Sequence, residues 1–264
     1  MSAVDPQWLA RYEAARTIAR LAGQEAFKYF DTPLTVETKE DESPVTIADR
    51  NAEMVIRREL ARLFPDDAIL GEEYGEQAGT TGFRWIIDPI DGTRSFIRNI
   101  PIWATLLSVD FHGESIIGIA EMPCFRQSWH ALKGNGAFRD ERPIRVSDCP
   151  DLSEALTSYS SFAWFARAGK EGEFRRLLSA SERSRSYSDF YGFVLVAQGS
   201  AEIMVEHGVH IWDVAGLKVI VEEAGGVYTD WDGTGSVERP DCVASNGRFH
   251  GEILQILQGR EASN

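Results

Sequence analysis

Cysteine is sparse in this sequence: three in 264 residues, Cys124, Cys149 and Cys242. The number is odd, the spacing wide, and no Cys-x-x-Cys occurs. This argues against a disulfide framework and a thiolate zinc site and fits a reducing cytoplasm. Cations are also in deficit. Lys and Arg number 27 against 41 Asp and Glu, a formal net charge of −14. That speaks against nucleic acid and anionic membranes as partners, because both reward clustered positive charge, and it is compatible with cation binding. No apolar run approaches the roughly 18 residues of a membrane span. The opening Met1-Ser2-Ala3-Val4-Asp5-Pro6 lacks the basic-then-apolar pattern of a signal peptide. A cytoplasmic location is the expectation.

What is present is an ordinary globular balance, 43 % hydrophobic and 26 % charged. A chain of this length can bury roughly 70–75 % of its unfolded surface, so it needs no metal merely to fold. Asp5 and Pro6 predict the start of a helix, with Trp8, Tyr12, Ala15, Ala19, Ala22, Ala26 and Tyr29 as its inner stripe and an end near Phe30. A segment of strand character over 34–39 and a polar loop over 40–44 follow. A second helix is predicted over 47–64, with Ala48, Ala52, Val55, Ile56, Leu60 and Leu63 buried. Strands are expected at 68–70, 85–87, 105–111, 115–121 and 127–132. The polar, proline-bearing stretch 142–151 reads as a seam between two halves of one unit, 1–145 and 146–264. In the second half strands are expected at 155–160, 201–205, 227–229 and 243–244, and helices at 172–180, 190–198, 214–224 and 250–258. Gly225-Gly226 ends the third of these helices. The pattern suggests stacked layers of helix and sheet.

The chemistry lies in the carboxylates. Asp88-Pro89-Ile90-Asp91-Gly92-Thr93 directly follows a buried strand, which puts both acids at the strand's carboxyl end, where open-sheet sites lie. Two acids three residues apart around a stiff turn can share a divalent cation, with the Ile90 carbonyl as a further oxygen ligand, and hard cations such as Mg²⁺ want oxygen. An isolated Asp-x-x-Asp would be read as a surface turn. Here other acids repeat the placement: Glu72-Glu73 follows a short apolar strand, and Asp213 opens a helix. Alone, Asp213 would be a plain helix cap and Asp49 a solvated first-turn acid.

Four blocks carry a resemblance. Lys39…Asp41-Glu42-Ser43-Pro44-Val45-Thr46-Ile47-Ala48-Asp49, Gly71-Glu72-Glu73, Asp88-Pro89-Ile90-Asp91-Gly92-Thr93 and Trp212-Asp213-Val214-Ala215…Glu223-Ala224-Gly225-Gly226 look like the motifs of the inositol-monophosphatase superfamily. They occur in family order and cover almost the whole chain. The continuation from Arg94 to Ala104, Ser158-Tyr159-Ser160-Ser161-Phe162 and Arg185-Ser186-Tyr187-Ser188-Asp189-Phe190 are most similar to the bacterial histidinol-phosphatase subgroup. The resemblance implies an α+β, layered αβαβα, inositol-monophosphatase-like (sugar phosphatase) fold. It further implies a homodimer that hydrolyses a small phosphorylated metabolite with two or three Mg²⁺ ions.

By the same resemblance, Glu72, Asp88 and the Ile90 carbonyl hold a first Mg²⁺, and Asp88, Asp91 and Asp213 a second. A third, weaker ion sits at Glu72 with waters. Thr93 and Asp49 form a dyad that orients the attacking water, and Lys39 offsets part of the acid cluster. Gly92 and Thr93 offer amides to the phosphate. Arg185, Asp189 and Glu206 face the substrate, together with Asp91 and Asp213. For Arg185 a structural salt bridge is an equal alternative, and for Glu206 a hydrated surface acid. His207, His210 and His250 match no ligand spacing, and Trp103 and Trp164 read as core or interface aromatics. The leading expectation is a Mg²⁺-dependent histidinol-phosphatase of histidine biosynthesis. Its rivals are an inositol monophosphatase or broad sugar or nucleotide phosphatase, and a non-catalytic metal-binding scaffold. The scaffold would have no need of a water-activating dyad.

Overall fold

In a computed structural model, which describes residues 5–39 and 44–260, the Asp5 side chain accepts from the Gln7 amide at 2.8 Å and Pro6 takes the first helical position. They open α1 (Pro6–Phe27), whose inner face carries the predicted Tyr12, Ala15, Ala19, Ala22 and Ala26 together with Ile18 and Arg11. The helix stops three residues short of Phe30. The expected strand over 34–39 shrinks to β1 (Glu37–Thr38), paired with β2 (Pro44–Val45). The loop over 40–44 lies, apart from Pro44, outside the described residues, as do Asp41, Glu42 and Ser43 of the first motif. There follow α2 (Ile47–Leu63), β3 (Ala68–Gly71), β4 (Gly75–Gln77), β5 (Phe83–Asp91), α3 (Thr93–Phe96), β6 (Ala104–Phe111), β7 (Glu114–Met122), β8 (Gln127–Leu132), β9 (Gly136–Arg139) and β10 (Arg142–Pro143). The remaining elements are β11 (Leu156–Tyr159), α4 (Phe162–Arg167), α5 (Glu171–Ala180), β12 (Arg183–Arg185), α6 (Asp189–Ala197), β13 (Ile203–His207), α7 (Ile211–Glu223), β14 (Val227–Thr229), β15 (Asp241–Ser245) and α8 (His250–Leu257).

Beyond the β1–β2 pair, β3 to β10 build an eight-stranded sheet of order β10-β9-β8-β7-β6-β5-β3-β4, and the last five strands a sheet of order β12-β11-β13-β15-β14. Three apolar cores lie between five layers. Helices α1 and α2 cover one face of the large sheet through Trp85, Ile87, Leu107 and Ile119. Helices α6 and α7 fill the layer between the two sheets. Helices α5 and α8 cover the outer face of the small sheet through Phe174, Leu177, Val243 and Ile253. This is the αβαβα layering expected from the sequence.

Three local departures matter for the site. Strand β5 does not end at Ile87 but runs to Asp91, and its pairing with β6 shifts register between Asp88 and Asp91. Pro89 has no amide to donate to the ladder, and the resulting bulge re-aims the side chains on either side of it. Helix α2 buries Asp49 and Glu53 beside its apolar stripe and leaves Val55 half-buried and Leu63 exposed. Helix α7 starts at Ile211, so Asp213 is its third residue rather than its cap; His210 holds the cap position. That helix lies directly on the large sheet: a Cβ on Gly118 of β7 would stand 2.0 Å from the Gly216 carbonyl. Only two glycines allow this approach, and it brings the first turn of α7 over the carboxyl end of β5.

Candidate active site

The first motif begins at Thr46, whose amide and hydroxyl both donate to Asp49 Oδ2, at 2.8 and 2.7 Å. This capping box holds the Asp49 carboxylate at the head of α2. Burial pushes its pKa up to about 6, against the Thr46 hydrogen bonds that favour the charged form. The Thr93 hydroxyl stands 3.4 Å from Asp49 Oδ1 and 2.9 Å from the Ile90 carbonyl. One hydroxyl hydrogen serves two acceptors, and the shorter contact is to the Ile90 carbonyl.

Fully buried Glu53 of α2 shapes the next segment. Its carboxylate accepts from the amides of Glu73 and Tyr74 at 2.8 and 3.3 Å and from Arg57 Nε at 2.7 Å. This fixes the turn after β3, from which Glu72 and Glu73 converge on Lys39: its Nζ donates to both, at 2.7 and 2.6 Å. Burial disfavours the Lys39 charge, but the two carboxylates outweigh it and raise its pKa. Burial raises Glu72 as well, with Lys39 pulling the other way.

At the end of β5 and the start of α7, one oxygen from each of Asp88, Asp91 and Asp213 lies within 4.8 Å of the other two. Burial pushes Asp88 and Asp91 far above the usual carboxylate range, and the neighbouring acids add to the shift. Glu72 adjoins the trio, and its charge adds to the upward shift of Asp88. Asp213 Oδ2 accepts from the His210 amide at 2.7 Å. Among the described residues this is the carboxylate group arranged as metal ligands are. All its donors are hard oxygens, its charges repel, and it is buried, so the residues fit a hard divalent cation such as Mg²⁺.

Asp91 and Asp213 also line a cavity of ≈ 90 Å³ with Ser160, Trp164, Asp189, Phe190, Phe193, Glu206 and the segment 207–209. Glu206 is buried and raised well above its ordinary pKa by that burial; it accepts from the His207 amide at 3.1 Å and from the Ser160 hydroxyl. Burial also raises Asp189, which opens α6. Ser188 and Asp189 have φ of 65° and 45°, a strained pair at the lip of the cavity.

The structure thus brings Asp49 and Thr93 together, gathers Glu72, Asp88, Asp91 and Asp213, and sets Asp189 and Glu206 on the adjoining cavity. Gly92 links the groups, with a φ of 86° at the head of α3. Glu206 is no hydrated surface acid. Arg185 stands apart: it is exposed on β12 and donates to the Ser184 carbonyl at 2.8 Å. Trp103 is a core aromatic as expected, but Trp164 is half-buried and lines the cavity. His250 is locked between Thr229 and Ser245, and the His207 ring packs on Trp231. Sequence reasoning missed Glu53, whose backbone partners lie 20 and 21 residues away, and the role of Ser160, which stood only as part of a subgroup motif.

Residues 8–262 match the model of the Inositol monophosphatase family. The chain is 41 % identical over 229 residues to the histidinol-phosphatase of Mycobacterium tuberculosis, covering 85 % of this chain and 88 % of that protein. It is 37 % identical over 267 residues to the histidinol-phosphatase of Streptomyces coelicolor, covering 97 % and 99 %. Its backbone superposes with a TM-score of 0.89 on the extragenic suppressor protein suhB of Bartonella henselae, at 27 % identity, over 94 % of this chain and 98 % of that one.

Proposed function

The chain belongs to the inositol monophosphatase family and is a phosphoric monoester hydrolase, and from that premise we propose that it is a Mg²⁺-dependent histidinol-phosphatase, releasing histidinol and phosphate. The observation that supports this reading best is the sharing of Asp91 and Asp213 between the buried carboxylate trio and a cavity that ends in two further acids, Asp189 and Glu206. A phosphate ester whose leaving group carries an amine and an imidazole meets cations at one end of such a site and carboxylates at the other.

In this proposal Glu72, Asp88 and the Ile90 carbonyl hold one Mg²⁺, and Asp88, Asp91 and Asp213 a second; a third, weaker ion uses Glu72. Bound there, divalent cations polarise the phosphate and lower the pKa of water. The chain's own residues do the rest. Thr93 orients the attacking water and relays its proton demand to Asp49, whose pKa of about 6 suits a base working near neutrality. The amides of Gly92 and Thr93 take phosphate oxygens. Lys39 keeps Glu72 and Glu73 together and offsets part of the negative charge. Asp189 and Glu206 receive the leaving group through charge-assisted hydrogen bonds; Arg185, exposed on β12, has no part in this site. By family resemblance the working unit is a homodimer in the cytoplasm; among the described residues no helix is long and apolar enough to cross a membrane.

The test is a substrate panel with and without Mg²⁺: histidinol phosphate, inositol 1-phosphate, fructose 1,6-bisphosphate and adenosine 3′,5′-bisphosphate. Histidinol phosphate is expected to lead in kcat/KM by at least about tenfold, a discrimination that hydrogen-bonded recognition readily supplies. Comparable turnover of all four overturns the histidinol assignment, and full activity in excess chelator overturns the metal.

A further inference from the structure

Helix α4 (Phe162–Arg167) is capped by Ser161, whose hydroxyl accepts from the Ala163 amide. It is too short to be stable by itself, and its one fully buried side chain, Phe165, anchors it. The Phe165 ring is stacked 3.9 Å from the Phe174 ring centre and 5.7 Å from that of Trp231. Successive helical side chains diverge by about 100°, so anchoring Phe165 in the core turns Trp164 away from it, and Trp164 lines the cavity beside the carboxylates.

The indole is seated against the loop after β13. Gly208 has a φ of 87°, and a Cβ there would meet indole Cδ2 at 3.2 Å and Cε3 at 3.3 Å. Gly208 lies two residues beyond Glu206, so the backbone that presents the acid also fixes the aromatic ring. A guanidinium already lies over this ring, with Arg167 Cζ 4.8 Å from its centre, as expected of an indole's negative face. Beyond Asp91 and Asp213, then, the cavity offers two carboxylates, Ser160, His207, one indole and the apolar Phe193 and Val209. A polyol could use the carboxylates but gains little from an indole face beside Phe193 and Val209. A planar, cationic leaving group matches both the ring and the acids.

Building on the histidinol-phosphate reading, we propose that Trp164, seated by Gly208, is a specificity-determining residue that selects a planar, cationic leaving group over a polyol. Trp164 touches the leaving group and not the reacting atoms.

The experiment compares the Mg²⁺-loaded wild type with Trp164→Phe, Trp164→Ala and Gly208→Ala. It measures kcat/KM for histidinol phosphate and for glycerol 2-phosphate, and the Ki of histidinol against glycerol 2-phosphate hydrolysis. In Trp164→Ala the ratio of the two kcat/KM values falls about five- to twentyfold and the histidinol Ki rises in parallel, the range of a desolvated cation–ring contact. Trp164→Phe keeps the ratio within about threefold of wild type, because a smaller ring still offers a face. Gly208→Ala shifts the ratio in the same direction as Trp164→Ala by displacing the indole. A ratio and a Ki both unchanged in Trp164→Ala overturn the inference while the histidinol reading stands. A wild type that shows no preference for histidinol phosphate overturns both.

Discussion

Asp91 Oδ2 accepts from the Phe190 backbone amide at 2.7 Å, so a carboxylate of the candidate cation site also closes the first turn of α6. The residue before Phe190 is Asp189, and the bond holds the strained Ser188–Asp189 pair in place. The cation site and the leaving-group pocket are therefore one mechanical unit, and the two duties of Asp91 can be separated. Asparagine keeps an oxygen for the Phe190 amide but brings no charge. Asp91→Asn should lose phosphatase activity by about a hundredfold or more, yet melt in chelator at or above the wild-type temperature, because asparagine has no carboxyl to ionise among the other buried acids. Asp91→Ala should lose activity and also about 1–2 kcal/mol of stability, since it strands a buried amide. Kinetics in Mg²⁺ and melts in chelator read the two effects separately; an Asp91→Asn enzyme with wild-type turnover would remove Asp91 from the cation site.

Thr93 sits between two acceptors, 2.9 Å from Ile90 O and 3.4 Å from Asp49 Oδ1. It supplies no charged ligand in the proposed site. Thr93→Ala should therefore lower kcat by roughly 10²–10⁴, the usual worth of a positioned proton relay, while the Mg²⁺ activation constant moves by about threefold or less. Thr93→Ser should restore most of the turnover. Equal losses in kcat and Mg²⁺ affinity would make Thr93 a support of the Ile90 carbonyl instead.

Why some of these residues were legible in the sequence, and others not, follows from where their partners lie. Asp5, Pro6 and the stripe of α1 from Tyr12 to Ala26 are fixed by neighbours within a few residues and read correctly, whereas Tyr29 lies beyond the end of the helix. Asp88 and Asp91 do lie at the carboxyl end of a strand, but inside it rather than after it: the bulge at Pro89, which depends on the register with β6, carries β5 on to Asp91. Asp213 was expected to cap a helix because the apolar period begins at Val214. The observed start at Ile211 is set by the reverse bond of the capping box, from the His210 amide to Asp213. Glu53 shares the inner face of α2 with alanine and isoleucine, and only the folded turn at Glu73 and Tyr74 explains its burial. Trp164 lies on a six-residue helix, too short to show a period that would separate an inward from a pocket-facing ring.

The buried acids give the cation-free protein a characteristic pH dependence. Asp49 is raised from 3.8 to about 6, and Glu72, Asp88, Asp91, Asp189 and Glu206 are raised as well, all chiefly by burial. A raised carboxyl binds its proton more tightly folded than unfolded. Its contribution is full below the unfolded value and is lost as pH climbs through the folded one. Buried neutral histidines such as His130 and His250 act in the opposite sense, so the useful readout is the difference between melts with Mg²⁺ and with chelator. Mg²⁺ replaces the lost protons, and its stabilisation should grow from pH 5 to pH 7. Each proton retained by the cluster steepens the difference by about 1.4 kcal/mol per pH unit, with roughly 2–4 °C per kcal/mol for a chain of about this size. A Mg²⁺ increment that is flat or shrinks over that interval would mean that the cluster does not hold the cation.

The last prediction concerns Asp189, which bears on what leaves rather than on what is attacked. It lines the cavity with Glu206, is buried, and has its pKa raised mainly by that burial, with the Ser188 hydrogen bond favouring the charged form. A carboxylate in that position gains most when a cation arrives, and histidinol brings an ammonium and an imidazole. Glycerol 2-phosphate brings neither. Asp189→Asn preserves the shape of the side chain at a backbone conformation that asparagine also tolerates, so α6 and its bond to Asp91 should persist. Replacing a charge-assisted hydrogen bond by a neutral one removes about 1.5–3 kcal/mol, or one to two decades in kcat/KM for histidinol phosphate. The same substitution also takes a negative charge away from Asp91 and Asp213, which should ease proton loss from the cluster and shift the pH for half-maximal Mg²⁺ activation downward. The two consequences point in different directions: a selective loss on histidinol phosphate, and a milder, substrate-independent change in cation response. If both substrates decline together with no shift in cation response, Asp189 acts only by shaping the head of α6. If neither substrate declines, recognition of the amine must rest on Glu206, and Glu206→Gln becomes the variant that should separate the two esters.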